Sequence, residues 1–145
     1  MGFFKSLFGA SSEGGEPDAS DAGAQARLEG DGSFSFDIVG ESHYQDELEE
    51  ICGGRTEDSQ RLEVEARIIH EDDNPHDDQA LRVDVEGLTV GYIDRKNARN
   101  IRGQFVEAGM PGIEAVCAAI VVGGWDRGGS DRGHFGVKLD LPTDE

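Results

Sequence analysis

Short alternations of apolar and polar residues recur along the chain from Phe34 onward. Alternation with a period of two is typical of half-buried strands. Glu86-Gly87 separates two of these segments by only two residues, and such a spacing predicts a hairpin. Six strands are predicted in all, in the segments FSFDIVG, RLEVEARIIH, ALRVDV, LTVGYI, IEAVCAAIVV and HFGVKLDL.

Two further stretches carry apolar residues at helical spacing. The first begins with Ser42 and Gln45 at the spacing of a capping box and ends at Gly53. The second follows Asp94, a suitable N-cap residue, and ends at Gly109. Six strands and two helices, separated by closely spaced turns, predict an α+β, mainly β fold. We expect a small, partly open barrel of the OB-like or SH3-like kind.

The chain ahead of these elements has a different composition. Residues 10–33 are small, acidic and rich in glycine, which predicts a disordered linker. Residues 1–9 form a short amphipathic segment that suits contact with a membrane interface or a partner protein. Its apolar face consists of Phe3, Phe4, Leu7 and Phe8. The predicted division is therefore a segment at 1–9, a linker at 10–33, a barrel domain at 34–141 and a tail at 142–145.

Charge and cysteine content narrow the classes of function. The 145 residues include 31 aspartates and glutamates against 13 lysines and arginines, for a formal net charge of -18. Nucleic-acid binding over a broad surface depends on basic residues that release phosphate counterions, so any such contact is expected to be local. Cys52 and Cys117 lack CxxC partners, and no signal peptide is recognisable. A cytoplasmic protein without a zinc ribbon or disulfide framework is predicted.

The segment HEDDNPHDDQALRV places five carboxylates within residues 71–78. Clustered oxygen ligands suit calcium or magnesium, but the segment lacks the sixth-place glycine and the closing glutamate of an EF-hand loop. We therefore expect no cofactor, with weak binding of a divalent cation as the alternative. The ligands of that alternative site are His70, His76, Asp72, Asp73, Asp77 and Asp78.

Catalytic motifs are missing from the sequence. It contains neither a GxSxG motif nor a phosphate-binding glycine loop with its lysine. Cys52 and Cys117 lie in apolar patterns that predict buried, unreactive thiols. Trp125 has two interpretations, a stacking platform on a glycine-rich loop or a residue that closes a core. We therefore expect a binding protein rather than an enzyme.

Three short blocks together resemble the HIRAN domain family. They are IVGESHYQ after the first strand, NPHDDQALRV before the third strand and VGYIDRKNAR at the start of the second helix. The most specific piece is Asn74-Pro75-x-Asp77, because an Asn-Pro turn that leads into a buried strand is uncommon by chance. The resemblance covers about residues 34–141. HIRAN domains are best known at the N-terminus of some fork-remodelling DNA translocases, and they also occur as stand-alone bacterial proteins.

The resemblance implies an OB-like barrel that recognises the 3′-hydroxyl end of single-stranded DNA. It implies that Asp77 accepts a hydrogen bond from the terminal hydroxyl, that aromatic rings stack on the last bases, and that basic residues opening the second helix hold phosphates. It also implies recruitment of a DNA repair or replication enzyme, such as a helicase, in trans. The implied DNA-binding residues are Asp77, His76, Asn74, His43, Tyr44, Tyr92, Arg95 and Lys96.

Some positions depart from the family pattern. The first block carries Ser42, His43 and Tyr44 where DNA-binding members have an arginine and two tyrosines, and His76 stands where tyrosine is usual. Imidazole stacks less well than phenol and titrates near pH 6.5 when unperturbed. These departures favour an alternative function, in which a barrel without a ligand acts as a protein-interaction module docked through residues 1–9.

Two structural alternatives apply to the predicted site itself. Aspartates in such loops most often cap a turn by accepting hydrogen bonds from backbone amides, and this interpretation applies to Asp77. A run of basic residues on a helix is usually a solvated face. Here that face consists of Arg95, Lys96, Arg99 and Arg102.

Overall fold

A computed structural model describes residues 25–142 of the chain, and its sheet contains seven strands. The strands are β1 (Gln25–Arg27), β2 (Phe36–Asp37), β3 (Gln60–Glu71), β4 (Ala80–Val85), β5 (Leu88–Tyr92), β6 (Glu114–Gly123) and β7 (Phe135–Leu139). The helices are α1 (Gln45–Cys52) and α2 (Arg95–Glu107), and a single 3-10 turn spans Glu41–His43. Within the described range, neither α-helix is long and apolar enough to cross a lipid bilayer.

Six of the strands form one curled antiparallel sheet in the order β2-β7-β6-β3-β4-β5. The two ends of this order meet at a backbone bridge between Val39, just after β2, and Tyr92 at the end of β5. Each residue donates its N–H to the carbonyl of the other, at 2.8 and 2.9 Å. The bridge partly closes the sheet, which confirms the predicted α+β, mainly β fold with a partly open barrel.

Strand β1 was not predicted, and the linker prediction is wrong at its C-terminal end. Gln25–Arg27 pairs in parallel with Glu114–Val116 of β6, on the side where β7 stops opposite Ala119. Ala26 and Leu28 are fully or almost fully buried there, because their apolar side chains cover a part of the sheet that β7 leaves open. The N-terminal segment and linker residues 10–24 lie outside the described residues, as do residues 143–145.

Asp140 holds the chain that leads from β1 to β2. Its buried carboxylate accepts hydrogen bonds from the amides of Gly32, at 3.0 and 3.1 Å, and Phe34, at 3.3 Å. The two ends of the domain come close together here, since a Cβ on Gly30 would lie only 2.7 Å from the carbonyl oxygen of Leu141. Residues 28–34 are therefore part of the folded domain.

The predicted hairpin and the predicted second helix are confirmed. Glu86 and Gly87 both have positive φ, 53° and 80°, as a type I′ turn requires. Asp94 caps α2, and its carboxylate accepts a hydrogen bond from the amide of Asn97 at 3.2 Å. The apolar face of α2 is buried in the core, through Ala98, Ile101 and Phe105.

The predicted capping box at the first helix is wrong. Ser42 lies in the 3-10 turn, and neither that turn nor α1 has a side-chain cap. Gln45 bonds instead to β7, with its amide oxygen accepting from the Phe135 amide at 2.8 Å and its amide nitrogen donating to the Phe135 carbonyl at 3.0 Å. A tertiary contact with the sheet therefore replaces the local cap, and it fixes the first block against the barrel.

Candidate nucleic-acid interface

The acidic loop between β3 and β4 is shaped by Asn74. Its side-chain oxygen accepts hydrogen bonds from the amides of His76, at 2.7 Å, and Asp77, at 3.2 Å. Its side-chain nitrogen donates to the carboxylate of Glu71 at 2.9 Å. Asn74, predicted as a DNA-binding residue, therefore fixes the backbone of the turn that presents Asp77.

Asp77 faces the start of α2 and is engaged by both the backbone and arginine side chains. One carboxylate oxygen accepts from the Gln79 amide at 3.1 Å and from Arg99 Nη2 at 2.8 Å. The other lies 3.2 Å from Arg99 Nη1 and 3.3 Å from Arg95 Nε. The Arg99 hydrogen bond, followed by the one from the Gln79 amide, lowers the pKa of Asp77 to about 2. Asp77 is thus a turn cap and an ion-pair partner at once.

The four basic residues of α2 have different environments. Arg102 is largely buried and holds the acidic loop, donating to the carbonyls of Gln79 at 2.8 Å and Ala80 at 3.1 Å and pairing with Asp72 at 3.0 Å. Arg95, Lys96 and Arg99 are exposed. The prediction of a uniformly solvated face is therefore wrong for Arg102. Asp77 together with Arg95, Lys96 and Arg99 is called the Asp77 site below.

A second cluster, the Glu71 network, lies beside this site and joins the blocks of the resemblance. It consists of Glu71, Asn74, Arg82, Asp84, Thr89 and Tyr92. The Glu71 carboxylate accepts from Asn74 at 2.9 Å, from Arg82 at 3.1 Å and from the Tyr92 hydroxyl at 3.1 and 3.3 Å. Asn74 belongs to the second block and Tyr92 to the third, so one carboxylate connects the two blocks.

Arg82 extends this network into the barrel wall. Its guanidinium donates to both carboxylate oxygens of Asp84, at 2.9 and 3.2 Å, and Asp84 is buried. The Thr89 hydroxyl donates to Asp84 at 3.0 Å. A buried carboxylate with several donors of this kind is well satisfied. The network therefore fixes the ends of the strands that flank the Asp77 site.

The predicted aromatic residues are distributed around these two clusters. Burial, followed by the hydrogen bond to Glu71, raises the pKa of Tyr92 far above its ordinary value, and Tyr44 contributes further. Tyr44 therefore lies near Tyr92, and its ring meets that of His43 edge-on with centroids 6.4 Å apart. His43 and His76 are exposed. Across residues 25–142, no hydrogen bond or ring contact joins either imidazole to Asp77.

Sequence reasoning gave no special role to Glu71 and did not pair Arg99 with Asp77. Glu71 is the last residue of β3, next in register to Ala80, and Arg82 is aligned with Tyr92 across β4 and β5. This strand register is the signal by which Glu71 could have been identified as a partner of Arg82 and Tyr92. The Arg99–Asp77 pair joins residues 22 positions apart and becomes visible only once α2 is packed beside the loop.

Two of the four aspartates proposed as metal ligands are paired with cations of the protein itself. Asp72 pairs with Arg102 and Asp77 with Arg95 and Arg99, whereas Asp73 and Asp78 are exposed. The His70 ring lies against Phe105 and the carbonyl of Ile113, 2.8 Å from Nε2, and burial lowers the pKa of His70. In the part of the chain that the structure describes, no three His, Cys, Asp or Glu side chains are grouped to hold a metal ion.

A shallow cleft of about 530 Å³ lies on the other side of the first block, beside Glu41, Ser42, Trp125 and His134. Trp125 lines this cleft, and its ring also contacts other residues of its own loop. A Cβ on Gly133 would come within 2.5 Å of the Trp125 ring, and the Arg127 guanidinium lies over the ring at 5.4 Å. Its indole N–H donates to Asp131 at 3.1 Å. These contacts favour the interpretation of Trp125 as a residue that anchors its own loop.

Both cysteine thiols lie away from these clusters of charge. Burial raises the pKa of Cys52, and it raises the pKa of Cys117 to about 12. Neither thiol is therefore prepared to react as a thiolate at neutral pH.

Comparisons with known proteins identify no relative of this chain. No protein-family model, no curated protein and no solved structure matches this chain. The resemblance to the HIRAN domain therefore stays a prediction carried by the three sequence blocks. What the structure contributes is their arrangement, with Asn74 and Tyr92 on the Glu71 carboxylate, Tyr44 beside Tyr92, and Asp77 next to the basic start of α2.

Proposed function

We propose that this protein is a HIRAN-like module that binds the 3′-hydroxyl end of single-stranded DNA at the Asp77 site. The observation that supports this best is the placement of Asp77. Its side chain is 12% exposed, and it lies between the Asn74 turn and three exposed basic residues of α2. A hydroxyl acceptor next to phosphate-binding cations matches the chemistry of a strand end, which carries both groups.

Each part of the site has a role in this proposal. Asp77 accepts the hydrogen bond of the terminal hydroxyl, and Arg95 and Lys96 bind the nearest phosphates. His43, Tyr44 and His76 supply stacking surfaces, each worth on the order of 1–3 kcal/mol per base in single-strand binding. Stacking tolerates any base, so the proposal requires no sequence preference. Recruitment of a repair or replication enzyme in trans follows from the same proposal.

The acidic loop is less repulsive toward DNA than its composition indicates. Glu71 pairs with Arg82, and Asp72 pairs with Arg102. Among the carboxylates of the loop, this leaves Asp73 and Asp78 exposed without a paired arginine in the described structure. A paired carboxylate exerts a much weaker field at a distance than a lone one. The local balance of charge therefore supports binding at the Asp77 site despite the net charge of -18.

Fluorescence anisotropy tests the proposal, using short labelled oligonucleotides that end in a 3′-hydroxyl or a 3′-phosphate. We expect the wild-type protein to prefer the hydroxyl end and the Asp77→Ala variant to lose that preference. Asp78→Ala is the matched control, because it removes the same charge from an exposed neighbour. Equal binding of both ends by the wild type, or no binding at micromolar protein, would contradict the proposal.

A second candidate function is supported by the partners of Asp77 within the protein, since its carboxylate already accepts three hydrogen bonds and pairs with Arg95. In this alternative the barrel is a protein-interaction module that docks through residues 1–9. Deleting residues 1–8 should then reduce association with anionic and neutral lipid vesicles or with a captured partner, because Phe3, Phe4, Leu7 and Phe8 supply the apolar face. Vesicle co-sedimentation measures the effect. Unchanged sedimentation would remove membrane docking from this alternative.

A further inference from the structure

Most acceptor positions of Asp77 are occupied by the protein itself. An ionised carboxylate offers about four lone-pair sites. In Asp77 three of these sites receive hydrogen bonds, one from the Gln79 amide and two from the Arg99 guanidinium, and Arg95 adds an ion-pair contact. An incoming hydroxyl therefore competes with Arg95, whose contact with Asp77 is an ion pair without a hydrogen bond.

The two arginines hold Asp77 with different strength. Arg95 makes one contact of 3.3 Å, and its side chain is 72% exposed. Arg99 makes two contacts, at 2.8 and 3.2 Å, and its side chain is 44% exposed. Two parallel N–H···O bonds from one guanidinium are stronger and more directional than a single one. A hydroxyl thus replaces Arg95 more readily than Arg99, and the released Arg95 is available to a phosphate.

We propose that Arg99 is the specificity-determining residue of the Asp77 site, because its bidentate pair with Asp77 offsets most of the repulsion between that carboxylate and a terminal phosphate. This role rests on the proposed function. It identifies the residue that sets the selectivity between 3′-hydroxyl and 3′-phosphate ends. Without Arg99 the carboxylate would reject a 3′-phosphate strongly. With Arg99 in place, the site discriminates between the two ends by only a small factor.

The charges around Asp77 agree with this role. Asp77 contributes one negative charge, whereas Arg95, Lys96 and Arg99 contribute three positive charges within the first turn and a half of α2. The arginine hydrogen bond is also the first cause of the low pKa of Asp77. Removing Arg99 leaves the Gln79 amide to orient the carboxylate, so the hydroxyl acceptor remains in position while its charge is less compensated.

The test compares the binding constants for 3′-hydroxyl and 3′-phosphate oligonucleotides in wild type, Arg99→Ala, Arg99→Lys and Lys96→Ala. We expect Arg99→Ala to raise the hydroxyl-to-phosphate preference by about fivefold or more. Arg99→Lys should lie between Arg99→Ala and wild type, because lysine keeps the charge without the two-point geometry. Lys96→Ala is the matched control, since it removes one charge from the same helix turn without touching Asp77. Lys96→Ala should weaken the binding of both oligonucleotides by the same factor.

A measurement without DNA separates this inference from the proposed function. Carboxyl carbon NMR of Asp77 should show a pKa near 2 in the wild type that rises toward 3.8 in Arg99→Ala. An unchanged pKa would mean that the pair does not form, and it would overturn the inference even if DNA binds. A raised pKa with an unchanged end preference would also overturn it. If neither protein binds any oligonucleotide, the proposed function fails and the selectivity role fails with it, whereas the titration still reports the pair.

Discussion

The Glu71 network and the Asp77 site are two carboxylate clusters at the same end of the barrel, and they differ in what surrounds their cations. Glu71 is 17% exposed, and its partner Arg82 is held on a second side by buried Asp84. Asp77 is similarly enclosed, but its partners Arg95 and Arg99 extend into solvent. Similar ion pairs therefore have different consequences. In the Glu71 network they hold the strands together, whereas in the Asp77 site the arginines can exchange the carboxylate for a ligand.

The largest effect is expected from breaking the Glu71 network. Glu71→Ala removes the carboxylate that accepts from the Tyr92 hydroxyl and the Asn74 amide, and it leaves Arg82 with Asp84 alone. We expect the free energy of unfolding to fall by about 2–3 kcal/mol, measured by urea denaturation. Glu63→Ala is the control on the same strand, because Glu63 is exposed and its one ion pair among residues 25–142 is with Arg61 at 3.5 Å. It should change the stability by less than about 0.5 kcal/mol.

One result would reverse the comparison between the two clusters. If Glu71→Ala lowered the free energy of unfolding no more than Asp77→Ala, the Glu71 network would not be the more stabilising of the two clusters. In that case the Asp77–Arg99 contact would have to carry a stabilising role equal to that of the network.

A smaller effect is expected from the pH dependence of the Asp77 site. The pKa of Asp77 is about 2 in the folded protein, below its ordinary value of 3.8. The pair therefore stabilises the fold above about pH 4, and this contribution is lost as the pH falls through about 2. The difference in melting temperature between wild type and Asp77→Ala should be constant from neutral pH to about pH 5 and should shrink below about pH 4.

The control for this pH series is Asp78→Ala, which removes a neighbouring exposed carboxylate. A difference between wild type and Asp77→Ala that shrinks already near pH 6 would contradict the assignment to Asp77. Such a midpoint would point to a histidine, and His76 in the same loop would be the first to test by substitution.

The sequence was informative wherever a local pattern decides the structure. Alternating apolar residues predicted all six strands of the curled sheet, and the Glu86-Gly87 turn and the Asp94 cap are local devices that need no distant partner. Strand β1 was missed because Ala26 and Leu28 stand in an acidic, glycine-rich context. Their burial depends on the unpaired edge of β6, and the residues around Ala26 and Leu28 give no indication of that edge.

The site shows the same division between local and distant causes. The Asn74 turn and the basic start of α2 were recognised from contiguous residues. The partners of those charges were not, since the pairs Arg99–Asp77, Arg102–Asp72 and Arg82–Glu71 join separate elements. Glu71, Asp72 and Asp77, which the sequence placed in an acidic cluster, are paired with arginines that only the folded chain brings near.

The close approach of Gly30 and Leu141 bears on how this domain can be built into larger proteins. Because the connection after β1 lies beside the last described residues, the domain can be placed inside a loop of a host protein with a short bridge on each side. In such an insertion the two halves of the host protein stay close together, and the barrel projects from the host surface. The same closeness ties the two connections to each other, because the Asp140 carboxylate accepts hydrogen bonds from the amides of Gly32 and Phe34.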